Sequence, residues 1–224
     1  MSAKVFVLGR PGSGKSTAAR RLRQLLAQRG WIARHINDYE ILRRMFLADT
    51  QQIRFRPTEH NGFDAIDLTV MDLALQEVEV AVCANLCSAD LATIEFARND
   101  YREALQQFSA SFLKDAYFLF LDADLETCLR RVHERVMCSS SIDDHPSFSD
   151  AIFRSYYQKE NGAYMAACLQ REFCIHKQVR VINNTGSLNE FMRCIEQFAD
   201  EIFRREAYGS FLADRMLAAG LLTE

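Results

Sequence analysis

The stretch Val5-Phe6-Val7-Leu8-Gly9-Arg10-Pro11-Gly12-Ser13-Gly14-Lys15-Ser16 decides how this chain is read. Its first four residues are an unbroken apolar run stopped by Gly9, the pattern of a strand buried on both faces, and such strands belong to parallel sheets. From Lys15 to Arg29, Ala18, Ala19, Leu22, Leu25 and Leu26 share one helical face, Arg20, Arg21 and Arg23 lie off it, and Gly30 marks the stop. Between strand and helix, Gly9 to Ser16 satisfies G-x-x-x-x-G-K-[ST] at every fixed position. Glycines at those places let successive backbone N–H groups turn inward around phosphate oxygens, and the helix amino terminus adds partial positive charge. Gly9, Arg10, Pro11, Gly12, Ser13 and Gly14 are the expected cradle. Lys15 is expected to neutralise β- and γ-phosphates, Ser16 to bind Mg²⁺ through its hydroxyl, and Thr17 to extend the polar start of the helix.

Working outward, Trp31 to Ile36 reads as a second strand, capped into a helix by Asn37 or Asp38 that runs to about Asp49. Thr50 to Gly62 has no clear period and contains Pro57, so it reads as a loop or irregular insertion. Asp64 to Leu86 reads as one long helix, Leu91 to Phe96 as a third strand with Glu95 near its carboxyl end, and Tyr101 to Leu113 as a helix. Tyr117 to Leu121 is a further doubly buried strand, and Leu125, Cys128, Leu129, Val132 and Val136 share a face of the helix after it. Helix is expected again from about Ser149 to Arg171, then a last strand, Val179 to Ile182. Ser187-Leu188-Asn189-Glu190 is a capping box that opens a helix with the stripe Leu188, Phe191, Ile195, Phe198 and Ile202. A short additional helix is expected from Tyr208.

Five apolar strands alternating with helices predict an α/β three-layer sandwich: a five-stranded parallel sheet with helices on both faces. Ligands of such sheets sit beyond the carboxyl ends of the strands, where the loops after Leu8, Ile36, Glu95, Leu121 and Ile182 meet. The 224 residues suit one elaborated domain over residues 1–207, followed by a helical tail over 208–224. The 27 Lys and Arg against 30 Asp and Glu leave a net charge of −3, which supplies no global field for a polynucleotide. The seven cysteines include no C-x-x-C pair, and no histidine spacing suggests a metal site; reduced thiols in a cytoplasmic protein are expected. No signal peptide and no span long enough for a bilayer are read.

With the Gly9–Ser16 loop in this setting, the chain resembles the P-loop kinases of the nucleoside and nucleoside monophosphate kinase type, within the P-loop NTPases. The order of elements carries the resemblance along nearly the whole chain, and the phosphate loop is its one highly specific motif. The resemblance implies an ATP- and Mg²⁺-dependent phosphotransferase acting on a small acceptor, with a nucleoside or nucleoside monophosphate as first expectation. Glu95-Phe96-Ala97-Arg98 resembles the family's acid and arginine after the neighbouring strand: Glu95 would be the base or hold Mg²⁺ through water, and Arg98 would grip the acceptor. Asp38 caps its helix or faces the acceptor, and Arg43, Arg44, Arg54, Arg56 and His60 either line an anionic acceptor pocket or are solvated surface. Asp122 to Arg135 is similar to the entry of a mobile lid at about 136–150, with Arg131 and Arg135 closing on the transferred phosphate. Asn183 to Ser187 resembles the loop beside the nucleotide base, with Thr185 and Gly186 as the expected contacts.

Two other readings stand beside this one. A regulatory P-loop ATPase would hydrolyse nucleotide slowly without an acceptor, although the Asn-Lys-x-Asp signature for guanine is absent. A polynucleotide end kinase or motor is disfavoured by the charge and by the lack of room for a second nucleotide-binding domain. The long 64–86 helix offers a homodimer face if its outer surface is apolar.

Overall fold

The computed structural model describes residues 2–58, 62–86, 88–137 and 149–218, with side chains up to residue 208. Strand β1 (Ala3–Leu8) lies in the middle of a five-stranded parallel sheet. On one side of it come β5 (Leu91–Phe96) and then β2 (Ala33–Asn37); on the other come β6 (Ala116–Asp122) and β7 (Val179–Asn183). The doubly buried pattern of β1 has a direct cause in this placement. Phe6 and Leu8 point into one apolar layer with Ile94, Phe96, Phe118 and Phe120, while Val5 and Val7 point into the other with Leu91, Leu119 and Leu121. The first layer is covered by α2 (Asp38–Ala48) and α3 (Thr69–Leu86), the second by α1 (Lys15–Ala27) and α10 (Leu188–Ala218). This is the α/β/α sandwich that the strand and helix alternation predicts.

The structure corrects several element boundaries. The long helix begins at Thr69 and not at Asp64, because Phe63–Ala65 forms a strand, β4, antiparallel to β3 (Phe55–Pro57) inside the region read as irregular. Asp67 ends that strand's approach by accepting bonds from the Thr69 N–H and hydroxyl at 3.0 and 2.7 Å. The Tyr101 to Leu113 helix is two, α4 (Tyr101–Leu105) and α5 (Ala110–Lys114), since the Ser109 hydroxyl caps a new start. The 149–171 helix is three: α7 (Asp150–Tyr156), α8 (Gly162–Ala167) and α9 (Leu169–Glu172). The helix expected from Tyr208 continues α10 without a break. Most of the expected lid, residues 138–148, and the end of the tail, 219–224, fall outside the described residues. Among the described residues, no helix is long and apolar enough to cross a membrane.

Candidate active site

The carboxyl edge of the sheet carries the loop from Gly9 to Gly14, whose glycines have no substitute. At Gly12 (φ +82) a Cβ would lie 2.2 Å from the Cys128 carbonyl, and at Gly14 (φ +98) it would lie 2.6 Å from Asn184 Nδ2. Helix α1 starts at Gly14 with no side-chain cap and no acid in its first turn, so its positive end faces the cleft unopposed by either. The buried Lys15 ammonium donates to the Arg10 carbonyl at 3.0 Å, and burial lowers its proton affinity against the opposing pull of Glu95.

Glu95 closes β5 beside the loop. Its Oε1 accepts from Ser16 Oγ at 2.8 Å; its Oε2 is buried without a hydrogen bond, 3.5 Å from His35 Nε2. Burial raises the Glu95 pKa, with Lys15 and the Ser16 hydroxyl acting against it. Two hard oxygen donors in contact, one carboxylate oxygen left over, and a facing lysine fit a phosphate-bound Mg²⁺.

Across the cleft, Asp38 at the start of α2 and Arg98 after β5 form a buried ion pair, and Arg98 also donates to the carbonyls of Met71 and Ala97. Burial opposes the Arg98 charge most strongly, but the charge and hydrogen bond of Asp38, with Tyr156 and Tyr157, together raise the guanidinium pKa. Asn37 rather than Asp38 caps α2, its side chain accepting from the Tyr39 N–H at 3.0 Å.

Pro11, Gly12, Gly14, Lys15, Ser16, Thr17, Asp38, Glu95, Arg98, Arg131, Arg135 and Gly186 all border a single cleft of about 450 Å³. Arg131 reaches it from α6 (Leu125–Met137), donating to the Asn184 carbonyl at 2.9 Å. Other predicted residues stand elsewhere. Ser13 is buried under the loop, and the Gly9 N–H and carbonyl are both taken by the Tyr101 hydroxyl. The Arg10 side chain turns away from the cleft, Thr185 bonds to Asn183 Oδ1, and Arg56 borders a neighbouring hollow with Ser149, Ile152 and Tyr156. Arg43 and Arg44 lie on the exposed side of α2 and Arg54 pairs with Asp67, while His60 lies outside the described residues.

Residues outside the expected contacts complete the site. Asn184 ties the loop to the last strand by donating to the Ser13 carbonyl at 2.8 Å. An aromatic wall joins α2, the hairpin and α7: Tyr39 and Phe63 stack at 5.6 Å, Phe46 backs Phe63 at 4.9 Å, and Tyr156 stands at the same cleft. Polarity gave no signal for the aromatic side chains, and Phe63 joins them through the unrecognised β3–β4 pairing.

This is the fold of the P-loop kinases, within the P-loop NTPases. A gluconokinase from Sinorhizobium meliloti 1021 is 13% identical over 93% of this chain and 97% of its own, with a TM-score of 0.51. The APS kinase of Mycobacterium tuberculosis, solved with AMPPNP and APS, is 17% identical over 91% and 96%, with a TM-score of 0.50. At these identities the likeness is one of fold. No curated protein matches the chain. Residues 5–154 match the model of a family described as an AAA domain, and the chain belongs to that family.

Proposed function

We propose that the chain is a kinase that transfers the γ-phosphoryl group of ATP to a hydroxyl of a small acceptor, a nucleoside in the first instance. The observation that carries this reading is that one cleft holds the phosphate loop with Lys15, Ser16 and Glu95 at one end and the Asp38–Arg98 pair under an aromatic wall at the other. Loop amides and Lys15 hold the β- and γ-phosphates, and Ser16 with Glu95 would hold Mg²⁺. Bound there, Mg²⁺ would offset the charge of the phosphate oxygens. Arg98 orients the acceptor, and its hydroxyl oxygen bonds to the γ-phosphorus as the bond to the β-phosphate oxygen breaks. ADP leaves with that electron pair, and the hydroxyl proton passes to Asp38, whose basicity burial increases. Arg131 and Arg135 approach from α6 toward the transferred group. Tyr39, Phe63 and Tyr156 favour a flat ring, and Asp38 already matches the Arg98 charge, so this wall suits a neutral nucleoside better than a monophosphate or sugar acid.

The test is ATP consumption against nucleosides, nucleoside monophosphates and sugars, with Lys15→Ala as blank. Stimulation by a nucleoside, with its phosphorylated product identified by mass spectrometry and no turnover in the blank, is expected. Slow hydrolysis indifferent to every acceptor would remove the kinase reading and leave the regulatory ATPase.

A further inference from the structure

Arg10 occupies a variable position of the phosphate loop, yet its side chain is buried and every guanidinium donor has a partner. Nε donates to the Tyr157 carbonyl at 2.9 Å. One terminal nitrogen donates to the Ala123 carbonyl at 2.9 Å and Glu160 Oε2 at 3.3 Å; the other donates to the Lys159 carbonyl at 2.9 Å and Glu160 Oε1 at 2.7 Å. A planar fork with five donors is the one side chain able to meet such a set of acceptors.

The partners lie where the two halves of the cleft join. Ala123 precedes α6, which carries Arg131 and Arg135; Tyr157 ends α7, which carries Ile152 and Tyr156 to the acceptor wall. The other end of α7 is fastened to the hairpin, because Ser149 donates to both Asp64 carboxylate oxygens, at 3.1 and 2.8 Å. Helix α7 therefore spans from the aromatic hairpin to the phosphate loop, and Arg10 is its fastening at the loop end. The Arg10 carbonyl is also the resting partner of the Lys15 ammonium, so the same residue touches the donor machinery through its backbone and the acceptor wall through its side chain.

We infer that Arg10 is a positioning residue for the acceptor: it fixes α7, and with it Tyr156 and Tyr157, to the phosphate loop, so that the acceptor hydroxyl is held in line with the loop-bound phosphate. This role rests on the kinase reading above. Arg10→Lys keeps the charge but loses the fork, and Arg10→Gln loses both. In each, the acceptor KM is expected to rise about tenfold or more, while the dissociation constant of a non-hydrolysable ATP analogue stays within about threefold of wild type. Glu160→Gln is expected to stay near wild type, because Glu160 is 70% exposed and the three carbonyls still hold the arginine. Equal loss of analogue and acceptor affinity, an unchanged acceptor KM, or failure of both Arg10 variants to fold would each overturn the positioning role. A wild-type protein that phosphorylates no acceptor would instead overturn the kinase reading on which the role stands, and that outcome is seen before any variant is compared.

Discussion

Burial sets the acidity of Glu95 before any ligand arrives, and the consequence runs opposite to that of an ordinary surface carboxylate. Its folded pKa is raised above the usual 4.5, so between the unfolded and the folded value the native chain keeps a proton that the unfolded chain has released. The stability tied to this group is fully present below the unfolded value and is lost as pH rises through the folded one. Glu95→Gln is therefore expected to stabilise the ligand-free protein near neutral pH and to flatten the rise in stability on acidification, read as melting temperature across pH. The same substitution should lower turnover about 100-fold or more, since the amide carries no negative charge for the metal and its water. A melting temperature that falls at neutral pH would contradict this account of the site. Arg98 poses the converse case. Arg98→Ala leaves the Asp38 carboxylate buried without its cation and should cost about 3–5 kcal/mol in urea unfolding. The double variant Arg98→Ala with Asp38→Ala should cost less than Arg98→Ala alone; additive losses would show that the two charges are not coupled.

At the scale of elements, the β3–β4 hairpin matters out of proportion to its two three-residue strands. Phe63 connects them to α2 by stacking on Tyr39 and Phe46, and it meets Phe55 edge-on at 5.4 Å. Phe63→Ala should cost about 3–5 kcal/mol by emptying this cluster, and should raise the acceptor KM while ATP-analogue affinity holds. Equal loss of both affinities would show that the hairpin supports the whole cleft rather than the acceptor wall. The hairpin escaped the sequence because its strands are too short for alternation to register, and because Pro57 argues against a strand. A proline is tolerated here since the ribbon has only two strands and a free outer edge. Helix α1, by contrast, was legible from its start at Gly14 and its regular apolar stripe, and it ends at Ala27, two residues before the expected Arg29.

Taken as a whole molecule, the sheet divides the apolar residues into two layers and leaves the charged ones at its carboxyl edge, so the buried charges Lys15, Asp38, Glu95 and Arg98 collect at one end of the core. Such a concentration is costly without ligand and should be relieved by it. MgATP at about 100 times its dissociation constant should stabilise the fold by about 2.7 kcal/mol, a rise of about 5–10 °C in melting temperature for a chain this long. Lys15→Ala should abolish the shift while keeping the unliganded melting temperature, because burial already disfavours the lysine charge. A full shift in that variant would detach the phosphate loop from nucleotide binding.

The layered α/β architecture and the place and chemistry of the phosphate loop follow from the order of residues alone. Both are written in local patterns: apolar runs that can be buried only between two helical layers, and glycines spaced so that the backbone can turn around an anion. How the residues facing that loop are arranged depends on long-range packing. Asp38, just after β2, and Glu95, in β5, are distant in the chain and reach one cleft because β5 lies between β1 and β2. Arg10 left the cleft because five acceptors from two separate segments converge on its fork, and Asn184 and the aromatic wall entered the cleft through pairings with no local periodicity. Local pattern fixes what each segment must bury, whereas a site is a set of long-range coincidences that exist only once the sheet order is set.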